Sequence, residues 1–531
     1  MTTVVIGAGH NGLTAAFYLA KAGLEPIVFE RAETFGGGAV TGALHPGFRC
    51  PTLNHHVALR SDIIADMQLA RHGVEFLNSP VQVFAPALAG PAAVIYGDDQ
   101  GTAQAQRGVH PRHAARYPTY RTSLGAVCRM LRSLLTTPAP GIDEPDVRDL
   151  WNLLQAGRQF RALGANNAYG LLRWAPMPVA DFAGEWFESD LLRATVAAPG
   201  LSGTMFGPRS AGSALVLLLR EATRMLSDRS ARVRGGPGAL TKGMAEAARA
   251  AGAKIETGVP VERVVVEGGR VAAVVAGGRE IPARAVVSAV DPKTTFLQLV
   301  DPADLSPDFL LKIRAYRASG TITKVNLALS ALPNFNGGGP GGDSHNSAEL
   351  LAGRIHIGPD LDYLERAFDH AKYGEISDEP WLDVTIPSIL DSTLADAGHV
   401  MSIYVHYTPY RLRSGSWPSM KEAVLKGVLS TLERFAPGIG GLVLAAEVIT
   451  PLELESRFGF HEGHIFHGEL SLDQLAIMRP QLGYSRYQGP VRGLFMCSAG
   501  THPGGFMSGS SGKLAAHEVV KAARRLERPN S

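Results

Sequence analysis

Apolar and polar positions follow three patterns along the chain. Short runs of consecutive apolar, mostly β-branched or aromatic residues, Val4-Val5-Ile6, Pro26-Ile27-Val28-Phe29 and Leu494-Phe495-Met496-Cys497, predict strands buried on both faces. Apolar residues three or four apart predict helices from Leu13 to Ala22, from Leu240 to Ala251 and from about Ser511 to Leu526, the first two closed by Gly23 and Gly252. A third pattern, Val261 to Val266, Val271 to Val275 and Arg284 to Ala289 separated by Gly268-Gly269 and Gly277-Gly278, reads as a series of hairpins. Residues from about 76 to 234 are mainly helical in pattern. Those from about 301 to 484 add strands at Thr321 to Leu329, Leu382 to Ile386 and Val400 to Tyr407, with a helix from about Ser419 to Phe435. No fixed-period repeat is evident.

The first two strands acquire chemical meaning from what joins them. Val4-Val5-Ile6 ends in Gly7-Ala8-Gly9-His10-Asn11-Gly12, a helix follows, and the second strand ends in Glu30. This is the order of a βαβ dinucleotide fingerprint. Gly7 permits the tight turn, Gly9 lets backbone approach a pyrophosphate, and Gly12 lets the helix pack closely on the sheet. The helix N-terminus offers free N–H groups to the phosphates, and Glu30 can accept hydrogen bonds from a ribose hydroxyl while repelling a 2′-phosphate. The motif alone does not separate NAD from FAD.

Composition narrows the function classes. A chain of 531 residues makes two or three domains at about 100–200 residues each. With 51 Lys and Arg against 49 Asp and Glu, the net charge of +2 provides no field for a polyanion, so nucleic acid is not expected as a partner. Cys50, Cys128 and Cys497 are far apart, with no C-x-x-C pair, and suit a reducing compartment; redox-active disulfide exchange is excluded. The N-terminus has no export leader and no apolar run reaches the roughly 20 residues of a membrane span, so a cytoplasmic protein is expected, with any membrane contact peripheral. Neither a phosphate loop at Gly512-Lys513 nor a G-x-S-x-G elbow is formed.

After the second strand, Gly36-Gly37-Gly38-Ala39 resembles the second glycine motif of FAD-binding oxidoreductases of the glutathione-reductase-like type. Many of those carry an Arg just after the glycine pair, where this chain has Gly38 and Ala39. Together GAGHNGL at 7–13, GGGAVT at 36–41 and GTHPGG at 500–505 resemble the phytoene desaturase-like flavoproteins, nearest the pyridine nucleotide-disulphide oxidoreductase domain-containing protein 2 branch. The group includes carotenoid desaturases, carotenoid isomerases and retinol saturases.

The resemblance implies an α/β fold: a Rossmann-type FAD-binding domain formed by 1–75, 235–300 and 485–531, and a discontinuous α+β substrate domain formed by 76–234 and 301–484. Non-covalent FAD would be held by Gly7, Ala8, Gly9, Asn11, Gly12, Glu30, Arg31, Gly37, Gly38 and Ala39, by Val261, and by Gly500, Gly505, Phe506, Met507 and Gly512. The backbone around Met507, at a helix N-terminus, is suited to the negative charge of a reduced isoalloxazine. Lys324 resembles the lysine that holds a water near flavin N5 in related amine oxidases, its other reading being a solvated lysine on a strand edge.

The function expected is hydride transfer between flavin N5 and an apolar small molecule at a C–C bond. Two alternatives stay open: an amine or amino-acid oxidase using Tyr484 and Tyr487, and a flavin-containing scaffold. His461, His464 and His467 lack a completing carboxylate, so no metal site is expected. His55, His56, His502 and the basic strip Arg107 to Arg121 read as structural or solvated. The apolar series Leu150, Trp151, Leu154, Phe160, Leu163, Leu171, Leu172 and Trp174 reads as helix core, with a lipid-facing surface as the alternative.

Overall fold

The computed structural model describes residues 2–53, 57–107, 111–141, 145, 147–227, 232–337 and 347–527. His55, His56, much of the loop Asn336 to Asp343 and residues 108–110 of the basic strip lie outside them.

Five parallel strands form one sheet in the order Leu494–Met496, Ala285–Ser288, Thr3–Ile6, Pro26–Phe29, Lys254–Glu256. Their register explains the continuous apolar runs. Val5, Val28, Val287 and Phe495 point to a core shared with the helices His10–Lys21, Pro237–Ala250 and Ser510–Glu527. Val4, Ile6, Phe29, Val286 and Leu494 point the other way, to a core with Val264, Val274, Phe296 and Phe309. The strands other than Lys254–Glu256 are thus almost wholly apolar, and each large side chain so buried contributes about 1.5–3 kcal/mol. The three-stranded meander Val261–Glu267, Arg270–Ala276 and Arg279–Pro282 covers that second face.

Two helices begin earlier than apolar spacing suggests because the glycine turns themselves cap them. Gly9 is the N-cap of His10–Lys21, and Gly236 caps Pro237–Ala250 with Pro237 at the first helical position, where its missing N–H costs nothing.

The second sheet has seven strands, in the order Val443–Ile449, Ile322–Leu329, His399–His406, Leu382–Thr385, Arg354–Ile357, Val81–Ala85, Ala93–Tyr96. Its last two strands come from the region that the sequence pattern reads as mainly helical. They are short, and the second is followed within a few residues by the helix Asp99–Arg107, so no long period-two signal develops. One face is apolar: Val325, Leu327, Val384, Ile403 and Val405 pack against the helix Trp417–Phe435 through Val424, Val428 and Leu432. The opposite face carries Lys324, Asn326, Asp383, Ser402, Tyr404 and His406, all buried.

A helical layer built on Pro111–Leu135, Val179–Trp186, Asp190–Ala197 and Ser213–Arg224 is held by Tyr117, Tyr120, Phe182, Phe187 and Leu217. Leu171 and Trp174 join this core, but Leu150 and Trp151 are 57% and 55% exposed. The core reading holds for Phe160 and Leu163, which are half-buried against this core, and fails for Leu150, Trp151 and Leu154; among the described residues of the helix Val147–Ala162 only Asp149 is fully buried, drawn inward by Arg486 at 2.7 Å.

Candidate active site

The cleft begins where the first strand of the parallel sheet meets its helix. Gly12 cannot be larger: a Cβ there would lie 2.1 Å from the Gly7 carbonyl oxygen. Gly9 faces open space, a Cβ meeting nothing within 4 Å, and the helix behind it has neither a capping side chain nor an acid in its first turn. Buried Asn11 Oδ1 and His10 Nε2 have no partner there. Free N–H groups, an open glycine and unpartnered polar atoms are the chemistry that a pyrophosphate completes.

Glu30 ends the second strand with its carboxylate already oriented: the Ala8 N–H donates to Oε2 at 2.8 Å and the Ala32 N–H to Oε1 at 3.0 Å. Val261 is brought alongside because the Val259 N–H donates to the Glu30 carbonyl and the Gly258 N–H to that of Ala32. The second glycine motif lies against the first. The Gly36 N–H donates to the Ala8 carbonyl at 2.9 Å, a Cβ on Gly37 would come within 3.4 Å of Gly9 Cα, and the Ala39 carbonyl accepts from Thr241. Gly38 is needed for a different reason, since a Cβ would meet Phe460 at 2.6 Å. Arg31 turns away, its guanidinium donating to the Ser456 carbonyl at 3.3 Å.

The segment that closes the site comes from the far end of the sequence. Gly504, Gly505, Phe506 and Gly509 all have positive φ, and the turn they build leads into the helix Ser510–Glu527. Gly500 and Gly512 are committed to packing: a Cβ on the former would strike Pro292 at 2.5 Å and one on the latter the Asn11 carbonyl oxygen at 2.3 Å. Gly512 thereby lets the last helix settle on the first. Arg479, fully buried, braces this turn by donating to the carbonyls of Ala499, Glu469, Gln474, Phe466 and Gly468.

Phe506 and Met507 form one wall of a cavity of about 330 Å³. Its other walls are the helix Ser213–Arg224, presenting Leu217, Arg220, Glu221 and Arg224 at helical spacing, and the polar face of the seven-stranded sheet through Asp383 and Tyr404. Burial alone would raise the Asp383 carboxyl, but Arg354 at 2.8 Å, with His356 and His406, holds it well below the usual carboxylate range. Burial drives His406 and His356 toward the neutral form.

Lys324 belongs to the same face, in one cross-strand row with Tyr404, Asp383 and His356. It is not an edge residue: its strand has a neighbour on each side, its exposure is 0%, and its ammonium donates to Asn326 at 2.6 Å and to Ser402. The solvated-edge reading is corrected here. Burial pushes this amine down to about 8, against the opposing pull of Cys50 and Glu447. Tyr484 packs on Phe309 and the Tyr487 hydroxyl donates to the His502 carbonyl, so neither lines the cavity.

Sequence reasoning misses Arg220, Arg354, Asp383 and Tyr404. For the last three the signal is a polar residue at every second position of otherwise apolar strands, which ordinarily marks a solvated face; Arg220 lies on the helix Ser213–Arg224.

A family model described as FAD dependent oxidoreductase matches residues 2–388. The chain is 36% identical to pyridine nucleotide-disulfide oxidoreductase domain-containing protein 2 of Rattus norvegicus, over 98% of this chain and 94% of that protein. It is 24% identical to the lycopene-forming phytoene desaturase of Pantoea ananas, over 97% of each. An oxidoreductase from Methanosarcina mazei shares the fold, with a TM-score of 0.60 at 15% identity over 98% of this chain and all of that one. The expected relationship to desaturase-like flavoproteins is borne out by this range of similarity. With the family model spanning most of the sequence, the chain belongs to the FAD-dependent oxidoreductases and takes FAD as its cofactor.

Proposed function

We propose that the chain transfers a hydride between flavin N5 and a largely apolar small molecule, making or saturating a C–C double bond. The observation that carries this reading is the cavity against Phe506 and Met507, whose walls include Val57, Val83, Ile95 and Leu217. In such a site FAD supplies the two-electron chemistry. The chain's own share is to hold the nucleotide at Gly7, Ala8, Gly9, Asn11, Gly12, Glu30, Gly37 and Val261, and to exclude water from the bond that reacts. Lys324, in the same buried row as Tyr404, is the residue proposed to hold a proton or a water there.

The exposed apolar side chains of the helix Val147–Ala162, flanked by Arg148, Arg158 and Arg161, support a peripheral contact with a membrane in which an apolar substrate dissolves. No helix among the described residues is long and apolar enough to cross one. Cys50, Cys128 and Cys497 are free and buried, in keeping with a cytoplasmic setting.

The test is an anaerobic titration of the purified yellow protein with polyenes, retinoids, fatty acyl compounds and amines. Bleaching of the flavin band by a member of the first three classes is expected. Bleaching by amines alone selects the oxidase alternative, and the hydride-transfer reading is rejected if none of them bleaches the oxidised flavin and none restores the colour of the dithionite-reduced flavin.

A further inference from the structure

The cavity contains more positive charge than an apolar substrate needs. Five guanidinium groups line it, against the carboxylates of Glu221 and Asp383. Three of the five are neutralised within the protein. Arg354 is paired with Asp383 at 2.8 Å, Arg224 with Glu221 at 2.9 Å, and Arg121 with Asp99 at 3.0 Å. Arg232 spends its two Nη groups on the Ala352 and Gly353 carbonyls at 2.5 and 3.2 Å.

Arg220 shares with Arg232 a buried Nε without a partner and the lack of an ion pair among the described residues, but it differs in having a single carbonyl acceptor there, that of Ser202 at 2.9 Å from Nη2, and in being stacked on aromatic rings. Its guanidinium carbon lies 4.9 Å from the centre of the Phe506 ring and 5.7 Å from that of Phe466. These rings fix the plane of the fork at the end of the cavity next to the glycine turn at 504–509. Burial, reinforced by Arg354, pushes Arg220 down to about 10, so it still carries its charge at neutral pH. A desolvated cation with a free N–H, stacked on aromatic faces and opening on a cavity, is arranged for an oxyanion. An ammonium group would meet uncompensated like charge in the same place.

We propose that the cavity takes a ligand with an anionic oxygen head group, a carboxylate or a phosphate, seated on Arg220 beside Phe466 and Phe506, its apolar body lying against Val83, Ile95 and Leu217. This rests on the reading of the cavity as the substrate site and narrows it: the substrate is an amphiphile, not a hydrocarbon.

The test is calorimetric titration of the oxidised holoenzyme with decanoate, decyl phosphate, decanol and decylamine, probes of equal chain length that separate the two anions from each other and from the uncharged and cationic heads. At least one anion is expected to bind about ten- to a hundredfold more tightly than decanol, with decylamine weakest. Arg220→Gln should remove that advantage while leaving decanol within about twofold, a factor well below one charge-assisted hydrogen bond. Arg220→Lys, which keeps the charge but loses the fork, should restore part of it. Equal binding of the four heads, no binding of either anion at millimolar concentration, or a loss in Arg220→Gln as large for decanol as for the anion would overturn the proposal. Should Arg220→Gln fail to retain FAD, the ranking of the four heads on the wild-type holoenzyme decides alone. Whether any probe bleaches the flavin is scored separately and bears on the reaction, not on the anion site.

Discussion

The two sheets of this flavoprotein use the same backbone geometry in opposite ways. In the parallel sheet both faces are apolar and the chemistry sits at the strand ends, in the turns Gly7 to Gly12 and Gly36 to Ala39 and at Glu30. In the seven-stranded sheet one face is apolar and the other carries buried Lys324, Asp383, Ser402, Tyr404 and His406, so the chemistry lies along the strands. A site at strand ends tolerates changes within the sheet but not in its turns, where backbone must approach backbone. A site on a sheet face depends on each polar group finding its partner, because water does not reach them.

Four perturbations separate these two kinds of site. The largest effect is expected from Gly12→Val, which forces side-chain atoms into the Gly7 carbonyl; the chain should lose bound FAD outright, read as flavin absorbance per chain. Next, Asp383→Asn strands Arg354 inside the protein and should cost about 3–5 kcal/mol in urea unfolding, with FAD still bound by the folded fraction. Loss of flavin from folded Asp383→Asn would show that the two sheets are not separable in this way.

Lys324 gives a smaller, pH-dependent effect. Its folded value of about 8 lies below the ordinary value of 10.5, so the unfolded chain binds the extra proton between them. The cost of burying the ammonium is therefore present in full below pH 8 and is relieved as pH rises toward 10.5. Relative to Lys324→Met, the wild type should gain about 3 kcal/mol across that interval, measured as the difference between two urea midpoint series. A flat difference would mean that Asn326 and Ser402 compensate the charge completely. The smallest effect is expected for Trp151→Ser with Leu154→Ser: stability within about 0.5 kcal/mol of wild type, since both side chains are already exposed, but weakened sedimentation with anionic lipid vesicles. Unchanged sedimentation would remove the membrane contact.

The same contrast explains what could be read from the sequence. The parallel sheet and its glycine turns are local: Gly7 to Glu30 spans one βαβ unit, and steric need fixes its residue types in order. The cavity is not local. Arg220 comes from a helix, Arg354, Asp383 and Tyr404 from three strands, and only the cross-strand register joins them. Lys324 is legible as a residue of interest, but its burial depends on the strands Val443–Ile449 and His399–His406 closing over both edges. Leu150 and Trp151 mislead for the converse reason: helical spacing shows that a face is apolar, not that anything covers it.

The placement of Gly512 against Asn11 has a consequence for how the holoprotein is made. The outermost strand of the parallel sheet and the helix that follows it lie hundreds of residues downstream of the turn they complete. During synthesis the nucleotide cradle therefore stands without its last strand and helix, and the cavity without the wall of Phe506 and Met507, until Leu494–Glu527 has left the ribosome, so the site is completed only at the end of translation.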